Sequence, residues 1–305
     1  MDVQAWGLGA TLYLPATRDD LATVLLGGRH PDLRSAVVCL EDAVHPRDVP
    51  FALARLQLML ARLAVHPSGS ARPALFVRPR DAAMLMQILQ YPGIEHIEGF
   101  VIPKATADSL PAYLAALAYD HHLLMPTLET RDVFDPAEMR RLREQLMAIH
   151  ERILAVRIGG NDLLQTLGAR RSGERTIYEG PLGPVIASLV ATFVPWGFAL
   201  SAPVFENFGN LALLREEVER DLEHGLLTKT AIHPGQIGII HGAYAVDDAS
   251  HAEARQILSV DGGAVFASRD AMCEPATHHV WAQAILRRAE AFGIRRSSHA
   301  TPISA

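Results

Sequence analysis

The chain has 305 residues, 49% of them hydrophobic, with a net charge of −6 and a pI of about 6.1. That length can bury one large core or two smaller ones, and the acidic balance excludes the basic footprint of a nucleic-acid or anionic-lipid binder. Two cysteines, Cys39 and Cys273, provide neither a disulfide framework nor metal-ligand spacing. The start, MDVQAWGLGA, lacks a basic segment followed by an apolar core, and no apolar stretch reaches membrane-spanning length. A cytoplasmic protein with no nucleic-acid and no membrane partner is therefore expected.

Short apolar runs then alternate with helical patterns. ATLYLPA (10–16) reads as a strand closed by Pro15, and Thr17 caps a helix over 19–26 with acids in its first turn. SAVVCL (35–40) is a second strand ending on Glu41-Asp42. Leu53, Leu56, Leu60 and Leu63 recur at helical spacing within 49–65. A third strand (74–77) ends at Arg78, and Asp81 opens a helix to about 91. The fourth strand (99–102) ends at Pro103-Lys104 and precedes a helix over 109–118. HLLMPTL (122–128) ends at Glu129-Thr130 and precedes a charged amphipathic helix over 135–149.

The sixth strand is the apolar run opening ILAVRIGGNDLL (153–164), which passes through Arg157 and stops at Gly159-Gly160, with Asp162 at its tip. A helix (182–194), a strand (198–202) and a charge-rich helix (211–224), expected to show a solvated face, follow. KTAIH (229–233) is the eighth strand, and 252–259 is a final core-facing helix. Eight strand–helix units at spacings of roughly 30 residues predict a (β/α)8 TIM barrel. The competing open doubly wound sheet lacks its glycine-rich fingerprint, since Pro15-Ala16-Thr17-Arg18 follows the first strand.

From 260 the alternation stops. Asp261-Gly262-Gly263 reads as a turn, then come Val265-Phe266-Ala267, a loop and a last helix over 276–292. The chain thus divides into a barrel domain, 1–259, and a C-terminal hairpin and helix extension, 260–305, which could pack passively or cover a site. The polar end SSHATPISA is expected to fray.

Charged residues gather at the expected C-terminal strand ends: Glu41, Asp42, Arg78, Lys104, Glu129, Asp162 and His233. Ends of core strands do not collect charges without compensation. In parallel α/β proteins these ends are where ligands bind. Carboxylates there suit a hard cation, and an arginine suits a carboxylate clamped by two parallel hydrogen bonds. Glu129 and Asp162, on consecutive strands, are the expected metal ligands. The competing structural roles are helix capping for Asp162 and ion pairing for Glu129, Arg78 and Lys104. His233 is expected to satisfy a core hydrogen bond, and the pairs His121-His122 and His278-His279 to be structural. The basic loop 170–175 reads either as an anion site or as a solvated surface.

These residues carry a resemblance. LYLPA (12–16), VVCLEDAV (37–44), LFVRPR (75–80), FVIPKA (100–105), MPTLET (125–130), RIGGNDLLQTLG (157–168) and AIHPGQI (231–237) resemble, in order, the HpcH/HpaI aldolase and citrate lyase β-subunit family, in its citrate-lyase-like branch. The resemblance implies a Mg2+-dependent TIM barrel, with Mn2+ the alternative ion, that makes or breaks a carbon–carbon bond next to a carbonyl through an enolate. It implies Glu129 and Asp162 as metal ligands and Arg78 as the group holding the substrate carboxylate. Glu41 and Asp42 become the acidic pair near the metal's waters. Glu274, in Met272-Cys273-Glu274-Pro275, stands where the malyl-CoA lyase-like branch carries an acid/base Asp. A homo-oligomer, trimer or hexamer, is also implied.

Three departures bear on the substrate. Gly9-Ala10-Thr11 replaces an Arg-Ser pair that contacts coenzyme A, His45-Pro46-Arg47-Asp48 replaces a segment with a lysine, and Gly160-Asn161-Asp162 replaces Gly-x-Glu-Asp. The expected activity is lyase chemistry on a 2-oxo or hydroxy acid, with a CoA thioester substrate left open. The rivals are a Schiff base on Lys104, a catalytically silent barrel binding a small acid or a partner enzyme, and phosphoenolpyruvate or pyruvate chemistry.

Overall fold

A computed structural model describes residues 3–26, 28–66, 72–117, 121–259, 265–268 and 271–296. The turn expected at 261–263 and the tail from 297 lie outside them. Eight parallel strands close a barrel in chain order: β1 (Gly9–Pro15), β2 (Ser35–Cys39), β3 (Ala74–Arg78), β4 (Gly99–Ile102), β5 (Leu123–Leu128), β6 (Val156–Ile158), β7 (Leu200–Ala202) and β8 (Thr228–Ala231). Seam closure pairs Gly9 with Thr228 and Leu12 with Ala231. The helices are α1 (Leu21–Leu26), α2 (Val49–Ala64), α3 (Ala82–Ile88), α4 (Leu110–Ala116), α5 (Pro136–Met147), α6 (Gly160–Thr166), α7 (Leu182–Phe193), α8 (Leu211–Glu223) and α9 (Gly235–Tyr244). The expected (β/α)8 architecture is observed.

Strands covered on both faces are largely apolar, and every residue of β2 is buried. Two apolar layers follow from that. Val37, Phe76, Val101 and Met125 point into the barrel and, with Leu8 and Leu154, fill its interior. Outside, Leu142, Leu163, Ile186 and Phe193 pack helices α5, α6 and α7 onto β5 to β7. Asp81, Asp135 and Asn210 cap α3, α5 and α8, accepting from the N–H groups of Met84, Ala137 and Leu213.

Four expectations change. The sixth strand is only three residues long, and α6 begins at Gly160, so Asp162 lies in the first turn of that helix rather than on a strand tip. Helix α9 was not expected, because Gly235, Gly238 and Gly242 dilute its helical pattern. The acids of α8 are not all solvated: Glu217 and Asp221 are fully buried. Arg171, in the basic loop, is buried against them rather than free on the surface.

Those acids sit in a closed network. Lys229 donates to Glu217 (3.0 Å) and Asp221 (2.9 Å), and Arg171 donates to Glu217 (2.5 and 3.0 Å). The Tyr178 hydroxyl and the Ile177 N–H complete the carboxylates at 2.6 and 2.9 Å.

The chain forms two compact units, 1–240 and 241–305, divided within α9 and earlier than the expected 259/260. The second unit adds β9 (Val246–Asp247), α10 (Asp248–Ile257), the antiparallel hairpin β10 (Phe266–Ser268) and β11 (Ala271–Cys273), α11 (Pro275–Phe292) and β12 (Ile294–Arg295). Its boundary falls early because α10 has its own partner. Ala254 and Ile257 pack against Ala282, Ile285 and Ala289 of α11, and β12 pairs with β9.

Both cysteines are free thiols. Among the described residues no helix is long and apolar enough to cross a membrane.

Candidate active site

The C-terminal ends of the strands surround a cavity of about 400 Å³ lined by Tyr13, Arg78, Thr127, Glu129, Arg157 and Asp162, among others. Glu129 follows β5 directly and is buried. Its Oε1 accepts from Arg78 Nη2 at 2.9 Å and from the Lys104 backbone N–H at 2.7 Å. Lys104 reaches that position with a left-handed φ of 48°, a conformation that costs a non-glycine residue on the order of 1 kcal/mol. Burial, followed by the nearby Asp162 and Glu41 charges, outweighs the pull of Arg78 and raises the Glu129 carboxyl to about 7.

Gly159 makes room for this carboxylate. A Cβ there would lie 2.4 Å from Glu129 Cβ and 2.6 Å from its Oε2. The glycine expected to stop the strand therefore also seats the site's buried acid.

Glu41 is buried just beyond β2, while Asp42 is exposed. Arg78, the last residue of β3, uses Nη2 for Glu41 (2.6 Å), Asp42 (3.4 Å) and Glu129. Its Nε is buried without an acceptor. Burial raises the Glu41 carboxyl, but bonds from Asp42, Arg78 and Lys104 outweigh it and hold the group at about 2. Partial desolvation of its carboxyl, followed by the adjacent Glu41 carboxylate, pushes Asp42 up.

The Lys104 ammonium is ion-paired with Glu41 and Asp42. Burial alone would lower its pKa, but the Glu41 hydrogen bond and the surrounding acids raise it. A Schiff-base lysine needs a neutral amine at working pH, so this environment disfavours that role. Treatment with borohydride and a 2-oxo acid is expected to leave the intact mass unchanged; a trapped adduct on Lys104 would reverse the assignment.

The structure thus brings Glu41, Asp42, Arg78, Lys104, Glu129 and Asp162 together at one mouth. His233 is exposed, stacks on Phe208 with ring centroids 5.2 Å apart, and accepts from the Gly235 N–H at 3.1 Å, so it satisfies a surface turn rather than the core. Glu274 stands at the N-cap position of α11 in the second unit, where its N–H donates to His278 Nδ1 at 3.0 Å. Sequence reasoning did not assign Tyr13, Thr127 or Arg157 to the site. For Arg157 a signal was available, a charge inside an otherwise apolar strand.

Fold and site together define a parallel barrel enzyme scaffold with acid-rich strand ends. The chain belongs to the family described as C-C bond lyase of the TIM-barrel fold, whose model matches residues 2–294. A (3S)-malyl-CoA thioesterase of Cereibacter sphaeroides is 29% identical over 216 residues, 68% of this chain and 73% of that protein. The CitE protein of Mycobacterium tuberculosis, solved with magnesium, acetoacetate and coenzyme A, superposes with a TM-score of 0.69 at 21% identity, covering 92% of this chain and 98% of that one. RipC of Yersinia pestis superposes with a TM-score of 0.58 at 19% identity, covering 79% and 96%. The family match bears out the resemblance to citrate-lyase-like proteins, and the solved structures bear out the fold.

Proposed function

We propose that this barrel is a divalent-cation-dependent carbon–carbon lyase acting on a small 2-oxo or hydroxy carboxylic acid, free or as its CoA thioester. Mg2+, with Mn2+ as the alternative, would be held by Glu129 and Asp162. The observation that carries this reading is the pairing of a buried carboxylate, Glu129, with Asp162 on one cavity of about 400 Å³.

The donor set fits a hard cation, which takes one or two carboxylates and completes its shell with water and substrate oxygens. Glu129 Oε1 is committed to Arg78 and Lys104. Neither Glu129 Oε2 nor the Asp162 carboxylate meets a protein donor among the described residues. When bound, the cation supplies Lewis acidity beside the substrate carbonyl.

The chain's own residues do the remainder. Arg78 has an unused buried donor, Nε, and orients the substrate carboxylate. Glu41 and Asp42 hold Arg78 and Lys104 in place. The candidate proton carrier is Glu274, of this or a neighbouring chain, or a water that the cation would hold. Coenzyme A in the mycobacterial complex and the thioesterase relative support testing CoA thioesters. The altered segments 9–11 and 45–48 support testing free acids. Assembly as a homo-trimer or hexamer belongs to the same reading, and sedimentation equilibrium checks it.

The test is a panel of malyl-CoA, citryl-CoA and free 4-hydroxy-2-oxo acids, with Mg2+ or EDTA and mass detection of products. Cleavage that EDTA abolishes is expected, with carbon–carbon fragments distinguished from simple thioester hydrolysis. Glu129→Gln and Asp162→Asn should each lose Mn2+ binding and activity while the fold survives, read by circular dichroism. Full activity in either variant, or metal-independent cleavage, would sink the assignment.

A further inference from the structure

Of the cations gathered at this end of the barrel, Arg157 is held unlike Arg78 and Lys104. Arg78 and Lys104 are each paired with carboxylates. Arg157 is 1% exposed, and among the described residues its partners are neutral. Nη2 donates to Thr230 Oγ1 at 2.7 Å, Nη1 lies 3.6 Å from Met125 Sδ, and the guanidinium sits 5.3 Å from the centre of the Tyr13 ring. Five N–H donors are thus met by one hydroxyl and one weak sulfur acceptor. A buried charge without a counter-charge is costly, and folded proteins seldom keep one without use.

A second observation falls in the same layer. Arg157 is in register with Thr127 on β5 and with Ser201 on β7. Thr127 Oγ1 and Ser201 Oγ are both buried without a hydrogen-bond partner. An unpaired guanidinium flanked by two orphan hydroxyls, with Arg157 and Thr127 lining the cavity, is a built polar site.

We propose that Arg157 is a specificity-determining residue that receives a second anionic group of the substrate, a carboxylate, so that the site selects dicarboxylic over monocarboxylic acids. The inference rests on the metal-dependent 2-oxo acid reading above and names its substrate class. Arg78 addresses the carboxylate beside the reacting carbonyl, and Arg157 the carboxylate at the other end.

Oxaloacetate and 2-oxobutyrate test it, because they differ by a carboxylate in place of a methyl. Each is titrated calorimetrically, with Mg2+, into wild type, Arg157→Met and Arg157→Lys. Wild type is expected to prefer oxaloacetate, and Arg157→Met to lose roughly 10- to 100-fold of that preference while its affinity for 2-oxobutyrate stays put. Arg157→Lys, which keeps the charge and loses the fork, should fall between them. Ligand-free Arg157→Met should melt at or above the wild-type temperature, since no ion pair is broken.

An unchanged preference in Arg157→Met overturns this proposal and leaves the metal reading standing. A variant that melts lower and loses both acids equally shows a structural arginine and also overturns it. A wild type that binds neither acid with Mg2+ overturns both readings.

Discussion

Gly159→Ala is expected to cost about 100-fold or more in activity, as misplacing a reacting group by about 1 Å does. The new methyl has no free space. It would sit 2.4 Å from Glu129 Cβ and 2.6 Å from Oε2, distances that real Cβ atoms do not keep. Glu129 has little freedom to yield, because its Oε1 is tied to Arg78 and to the Lys104 N–H. Either the carboxylate turns away from Asp162, or β6 and α6 shift and carry Asp162 with them. Overpacking of this kind costs about 1–3 kcal/mol in stability. Gly173→Ala is the control: a Cβ there meets nothing within 4 Å, and its stability should stay within about 0.5 kcal/mol of wild type. Equal activity in the two alanine variants would mean that Glu129 tolerates displacement and is not a tightly placed ligand.

Lys229→Met is expected to destabilise the protein by about 3–5 kcal/mol, read as a fall in the urea midpoint. Lys229 is fully buried, as are the Glu217 and Asp221 carboxylates it joins. Removing the ammonium leaves two buried acids to share Arg171 and the Tyr178 hydroxyl. The site chemistry is untouched, so activity per folded molecule should be unchanged. Adding Asp221→Leu to Lys229→Met removes one of the stranded charges and should recover a good part of the loss. A loss below about 1 kcal/mol in the single variant would place the network in water rather than in the interior.

The two networks were legible to different degrees, for a physical reason. The site residues stand where apolar runs stop: Arg78 ends β3, Glu129 follows β5, and Glu41 lies just beyond β2. A charge at that point of a parallel strand is visible without coordinates. The acids of α8 are not so marked, since Glu217 and Asp221 lie among Arg215, Glu216, Glu219 and Arg220. Their spacing held the clue. Leu213, Glu217 and Asp221 follow one another at four-residue steps beside Leu214 and Val218, so two acids occupy the helix's buried face. Only the partners tell such a face from a solvated one, and Lys229 and Arg171 come from other elements.

The sequence by itself determined the barrel, because the alternation of strand and helix periods is a local property that each segment carries. It likewise determined the acidic strand ends and the family. The tertiary structure alone decided which charges are compensated. Ion pairing depends on distances across the barrel: Arg78 meets Glu129 from 51 residues away, whereas Arg157, inside an equally apolar strand, meets Thr230 and, among the described residues, no acid. It also decided where the second unit begins, because the residues of α10 can bury their apolar face only against a helix that comes later in the chain.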